Sequence, residues 1–89
     1  MIKRTVRIVN KLGLHARPAA MLVTAAAQHE SEVFFTKDDL RVNGKSIMGV
    51  MMLAAEKGTE LTIEVDGPDE ESAMQELLRA IESGFGEDN

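Results

Sequence analysis

From Ile2 to Val9 the chain alternates, with Ile2, Val6 and Ile8 on one face and Lys3, Thr5 and Arg7 on the other. That period of two predicts a half-buried strand, with Arg4 the exception. Asn10 to Leu14 reads as a loop containing Gly13. From Ala16 to about Gln28 the period becomes helical. Ala19, Leu22, Val23 and Ala26 fall on one stripe, and Pro18 fits a first turn, where a missing N–H costs nothing. Glu32 to Lys37 predicts a second strand with Val33 and Phe35 inward. Asp38-Asp39 then makes a tight connection to a third strand, Leu40 to Asn43. Ser46 is placed to cap a short helix from Ile47 to about Ala54, and Gly58 suits a left-handed residue beyond its end. Thr59 to Asp66 is the clearest strand, with Leu61, Ile63 and Val65 alternating with polar residues. Gly67-Pro68 turns the chain, and Asp69 is expected to cap a last helix. Glu70 and Glu71 favour that helix's positive end, Met74, Leu77, Leu78 and Ile81 form its buried stripe, and Gly84 ends it.

The order βαββαβα, built from one-sided elements, predicts an α+β fold in two layers. An antiparallel sheet is covered on one face by three helices. Pattern alone leaves the strand order open. No linker or repeat divides the chain, so residues 1–89 read as one domain. Apolar residues make up 44%, and the absence of cysteine excludes a disulfide framework and a thiolate metal site. The N-terminus lacks an apolar leader segment, and no run approaches the ~18 residues of a membrane span. A cytoplasmic protein without membrane contact is therefore expected.

The net charge of −5 is unevenly spread. Lys3, Arg4, Arg7, Lys11 and Arg17 all precede the first acidic residue, Glu30. The first 29 residues thus carry +5 and the remainder −10. A positive potential at the N-terminal end would attract a phosphoryl group and acidic partners. Nucleic acid is not an expected partner: the chain is acidic overall, and Phe34, Phe35 and Phe85 are too few for a base-stacking platform.

The segment carrying the chemistry is Gly13-Leu14-His15-Ala16-Arg17-Pro18-Ala19. It puts a histidine where a turn becomes a helix, at the end where backbone N–H groups are unpaired and the macrodipole is positive. Such a place receives an anion, most naturally a phosphoryl group. Imidazole is a nucleophile near neutral pH and a good leaving group. The N–H groups of Ala16 and Arg17 and the Arg17 guanidinium are candidates to hold the phosphoryl oxygens. His29, at a helix end beside Glu30, reads as a solvated residue favourable to the dipole. Two histidines so spaced, without a carboxylate at ligand spacing, give no metal site.

In the second helix, at about 100° per residue, Val50 and Leu53 share one face while Ile47, Met48, Met51 and Met52 fall nearly opposite. A two-layer domain has nothing to cover the second face. Ile47, Met48 and Met51 are therefore expected to form an exposed, adaptable docking patch near His15, joined by Ala20 of the first helix.

The histidine heptapeptide and the segment Lys45-Ser46-Ile47-Met48-Gly49-Val50-Met51 together resemble HPr, the histidine phosphocarrier family of the bacterial phosphoenolpyruvate-dependent phosphotransferase system. The resemblance covers essentially the whole chain. It implies an open-faced sandwich with strand order 1-4-2-3. It also implies that His15 accepts phosphoryl on Nδ1 from enzyme I and passes it to a histidine of an enzyme IIA protein, without a cofactor. Ser46 would be the regulatory serine, a target of HPr kinase/phosphorylase in bacteria that have one. A monomer is expected. Asn10-Lys11-Leu12-Gly13, Ala54-Ala55 and the ending Ser83 to Asp88 look like the nitrogen-related branch. That leaves open whether the enzyme IIA serves sugar uptake or regulation. The alternative reading is a regulatory HPr-like module acting through partner binding.

Overall fold

The computed structural model describes residues 1–87. The elements run β1 (Ile2–Arg7), α1 (Ala16–Ala27), β2 (Glu32–Lys37), β3 (Leu40–Asn43), α2 (Ile47–Met52), β4 (Glu60–Asp66) and α3 (Glu70–Glu82), followed by a short 3-10 turn, Gly84–Gly86. The four strands form one antiparallel sheet in the order β1-β4-β2-β3, as the resemblance implied.

Alternation decides which face is covered. Val42, Phe35 and Ile63 lie across from one another on neighbouring strands, and so do Val33 and Val65. All five are buried, with Val6 and Leu61 beside them. The helices pack on this face, contributing Leu22 and Ala26 from α1, Val50 from α2 and Ala73, Leu77 and Ile81 from α3, all fully buried. Each of the valine, leucine and isoleucine side chains adds about 1.5–3 kcal/mol of burial relative to exposure. The opposite face carries Thr5, Thr36, Arg41, Thr62 and Glu64. There Arg41 stacks 3.8 Å from the Phe34 ring centre and reaches Glu64 at 3.3 Å. Arg4, the break in the β1 pattern, lies across from Ile63 on the helix side. It stays exposed at the sheet edge, its guanidinium donating to the Lys3 carbonyl.

Five expectations need correction. The second helix stops at Met52 rather than near Ala54. The left-handed residue beyond it is Ala54 (φ 48), while Gly58 (φ 88) serves the next turn, where Thr59 N–H donates to the Glu56 carbonyl. Asp69 occupies the N-cap position of α3 without capping it. Its carboxylate instead accepts from the backbone N–H of Glu30 and Ser31 and from the Ser31 hydroxyl, joining α3 to the start of β2. His29 is not solvated: its side chain is 14% exposed, with Nδ1 3.2 Å from Asp69 and Nε2 3.5 Å from Glu76. Leu78 is half-buried at the margin of the core rather than inside it. A local stripe fixes a helix's inward face but cannot show which carboxylate a neighbouring segment will claim.

Candidate functional site

The loop after β1 is fixed before it reaches the histidine. Gly58 N–H donates to the Ile8 carbonyl, and Gly13 N–H to the Asn10 carbonyl. Gly13 adopts φ +68 and lies so close to the α2–β4 connection that a Cβ there would fall 2.3 Å from the Ala55 carbonyl oxygen. Only glycine fits. The next residue, buried Leu14, donates its N–H to that same oxygen at 2.8 Å.

His15 follows as the N-cap of α1, with extended backbone (φ −74, ψ −174) and its carbonyl accepting from Ala19 N–H. Its ring makes no capping hydrogen bond, so it is not a capping residue in the way serine is. Its side chain is 36% exposed, and Nε2 lies 2.7 Å from Glu87 Oε2. The first-turn N–H groups of Ala16 and Arg17 have no intrahelical acceptor, and Pro18 has none to offer. The Arg17 side chain is exposed and lines a shallow groove with Ala20, Met21 and Thr24. Arg7, by contrast, is turned away to the Gly58 carbonyl (2.9 Å) and Glu60 (3.4 Å). Of the early positive charge, Arg17 therefore belongs to the site and Arg7 does not.

Ser46 caps α2 as its position predicts, its Oγ accepting from Gly49 N–H at 3.1 Å. The two faces of α2 separate as expected. Val50 and Leu53 are buried, while Ile47, Met48, Met51 and Met52 are 39%, 71%, 41% and 64% exposed. α2 packs beside α1, on which Ala20 and Met21 are also exposed. Leu12 and Met21, 70% and 41% exposed, are two apolar surface residues the pattern did not single out. Both lie outside any inward stripe, which is the signal that could have found them.

Sequence reasoning also missed Glu87 and Asn10. Asn10 is fully buried, and its Nδ2 donates both to the Gly13 carbonyl (2.8 Å) and to Glu87 Oε1 (2.9 Å). Glu87 arrives through Gly84, Phe85 and Gly86, all left-handed (φ 68, 58 and 72), with the Phe85 ring buried. The Gly-Phe-Gly spacing hinted at a turn, but not at its destination. The Asn10 amide, and then His15 and Arg17, hold the Glu87 carboxyl below the usual carboxylate range against the opposing effect of burial.

The family described as "PTS HPr component phosphorylation site" matches residues 2–83. The phosphocarrier protein HPr of Neisseria meningitidis (strain Z2491) is 55% identical over 87 residues, 98% of each chain. The crystal structure of HPr-C-His from Thermoanaerobacter tengcongensis superposes with a TM-score of 0.96 at 45% identity, covering 100% of both chains. The HPr dimer from the same organism gives 0.79 at 46% identity, covering 98% of this chain and 100% of that one. The chain therefore belongs to the HPr family, the phosphocarrier proteins of the phosphotransferase system, and is a carrier of phosphoryl rather than a catalyst.

Proposed function

We propose that His15 accepts a phosphoryl group from the phosphohistidine of enzyme I and passes it to a histidine of an enzyme IIA protein, the chain of residues 1–89 working as one domain. The observation that carries this reading is the ring's place. It stands part-exposed at the N-terminus of α1, not used as a cap, beside two N–H donors without an intrahelical acceptor and the Arg17 guanidinium. In transfer, a ring nitrogen of His15 attacks phosphorus in line. The donor's N–P bond breaks, and its electron pair returns to the donor imidazole. The Ala16 and Arg17 N–H groups and the Arg17 side chain stabilise the equatorial oxygens. Because Arg17 is exposed, it adds little to ground-state binding, which suits a group that must leave again.

The apolar surface of Ile47, Met48 and Met51, with Ala20, is the docking patch for both partners, and flexible methionines suit one surface that meets several. Phosphate on Ser46 would place about two negative charges beside that patch and oppose docking, giving regulation wherever HPr kinase/phosphorylase is present. The working form proposed is a monomer, since one face must meet successive partners. Sedimentation at assay concentration tests it against the dimer seen in the relative.

The deciding experiment incubates the protein with phosphoenolpyruvate, Mg²⁺ and enzyme I, then measures mass and acid lability. One acid-labile phosphoryl group, absent from His15→Ala, is expected. No labelling by an enzyme I shown to be active would sink the carrier reading and favour a regulatory binding module.

A further inference from the structure

We infer that Glu87, anchored by Asn10, is a positioning residue that holds the proton on Nε2 of His15 and so leaves Nδ1 to carry the phosphoryl group. The inference rests on the phosphocarrier reading of His15. It starts from a buried side chain that packing does not explain. Asn10 is wholly buried, and its Oδ1 has no partner among the described residues. A buried amide with an idle acceptor is unfavourable, so its donors must matter. Both are used: one holds the Gly13 carbonyl in the loop before His15, the other holds Glu87. Both partners are oxygen acceptors, so only one orientation of the amide fits.

A second, independent feature places the carboxylate. The chain leaves α3 through three consecutive left-handed residues, one of them a non-glycine, and buries Phe85 at their centre. That backbone is unfavourable for Phe85 and persists because the ring is anchored. Its result is a Glu87 side chain only 15% exposed, with one oxygen on Asn10 and the other on His15. Glu87 lies beyond the segment that the family match covers, residues 2–83.

An ionised carboxylate only accepts hydrogen bonds, so at 2.7 Å from Nε2 it requires the hydrogen to be on that nitrogen. The Nδ1 lone pair is then free and, among the described residues, unpartnered. When Nδ1 bonds to phosphorus, the positive charge developing on the ring is balanced by Glu87 without any proton leaving. On delivery the N–P bond breaks with its electron pair returning to Nδ1. Because Nε2 has kept its hydrogen, the leaving group is neutral imidazole rather than an imidazolate.

The test uses the full chain with ¹⁵N-labelled histidine, whose two rings, His15 and His29, are resolved by long-range ¹H–¹⁵N spectra. The spectra are taken at about pH 8.5, two units above the ordinary histidine value of about 6.5. The expected result is that His15 is wholly in the Nε2–H form, with a visible, hydrogen-bonded Nε2 proton. In Glu87→Ala that proton signal is lost and the Nδ1–H form gains measurable population. Delivery of phosphoryl to enzyme IIA slows about tenfold, the scale of one hydrogen bond to a charged group. Glu87→Gln leaves one acceptor oxygen for the two donors of Asn10 and His15, so it keeps the Nε2–H form only in part and slows delivery less than Glu87→Ala. A Glu87→Ala protein with the wild-type nitrogen shifts and the wild-type rate overturns the inference. If the wild type takes no label from active enzyme I, the carrier reading fails instead, while the nitrogen spectra still decide the role of Glu87.

Discussion

Gly13→Ala tests how the His15 loop is held, and Gly58→Ala supplies its control. Both glycines are left-handed, at φ +68 and +88. Alanine there costs about 1–2 kcal/mol of backbone strain, partly offset by about 0.4–1 kcal/mol from the stiffer unfolded chain. At Gly58 a Cβ meets nothing within 4 Å, so Gly58→Ala should lose about 1 kcal/mol and no more. At Gly13 the Cβ would fall 2.3 Å from the Ala55 carbonyl oxygen and 2.9 Å from the Glu56 Cα, both backbone atoms. Neither can move aside as a side-chain tip could. The loop must lift, breaking the Leu14 N–H···Ala55 hydrogen bond of 2.8 Å, which adds about 0.5–1.5 kcal/mol to the loss. Together with the lost packing of Leu14, Gly13→Ala should lose about 2–4 kcal/mol. That is a large share of the ~5–15 kcal/mol typical of a domain. Urea unfolding measures both variants, and labelling by enzyme I reads the displacement of His15. Equal losses within about 0.5 kcal/mol, beyond which surface effects rarely reach, with unchanged labelling of Gly13→Ala, would refute the claim that this contact positions the histidine.

Other outcomes follow from single contacts. Arg17→Ala should slow labelling by about tenfold or more while moving stability by less than about 0.5 kcal/mol, because the side chain is exposed; a urea curve and a labelling time course separate the two. Met51→Glu should weaken binding to enzyme I in titration calorimetry by about tenfold and leave the fold intact, its side chain being 41% exposed; a large stability loss would instead assign Met51 to the core. Asp69 has its carboxyl held far below the ordinary value of 3.8, first by the Ser31 hydroxyl and then by the Glu30 and Ser31 N–H groups and His29, against burial. A group lowered in the folded state contributes stability above its unfolded value and loses it as pH falls. Wild-type stability should therefore decline as pH drops below about 4, the ordinary aspartate range. Asp69→Asn should flatten that decline in urea titrations across the same range.

Alternation in β1, β2 and β4 was enough to choose the sheet's buried face, because a strand's side chains change sides at every residue. The opposed faces of α2 followed equally from Val50 and Leu53 against Ile47, Met48 and Met51, since a helix repeats its direction over a few residues. The Ser46 cap and the position of His15 at a helix start were legible for the same reason: each depends on residues within a turn of itself. Strand order came from likeness to HPr and not from pattern, because alternation says nothing about which strand is the neighbour. Asp69 was misread because its helix-start position is local but its partners, 38 and 39 residues away, are not. His29 was misread because Asp69 and Glu76 of α3 close over it. Glu87 could not be assigned from the chain at all, since 72 residues separate it from His15. Short-range periodicity thus wrote the elements, their faces and the nucleophile's seat. Only the folded packing, which sets α3 across the sheet and turns the tail back through Phe85, decided which carboxylate meets which histidine, because that meeting depends on distances in space that no local spacing encodes.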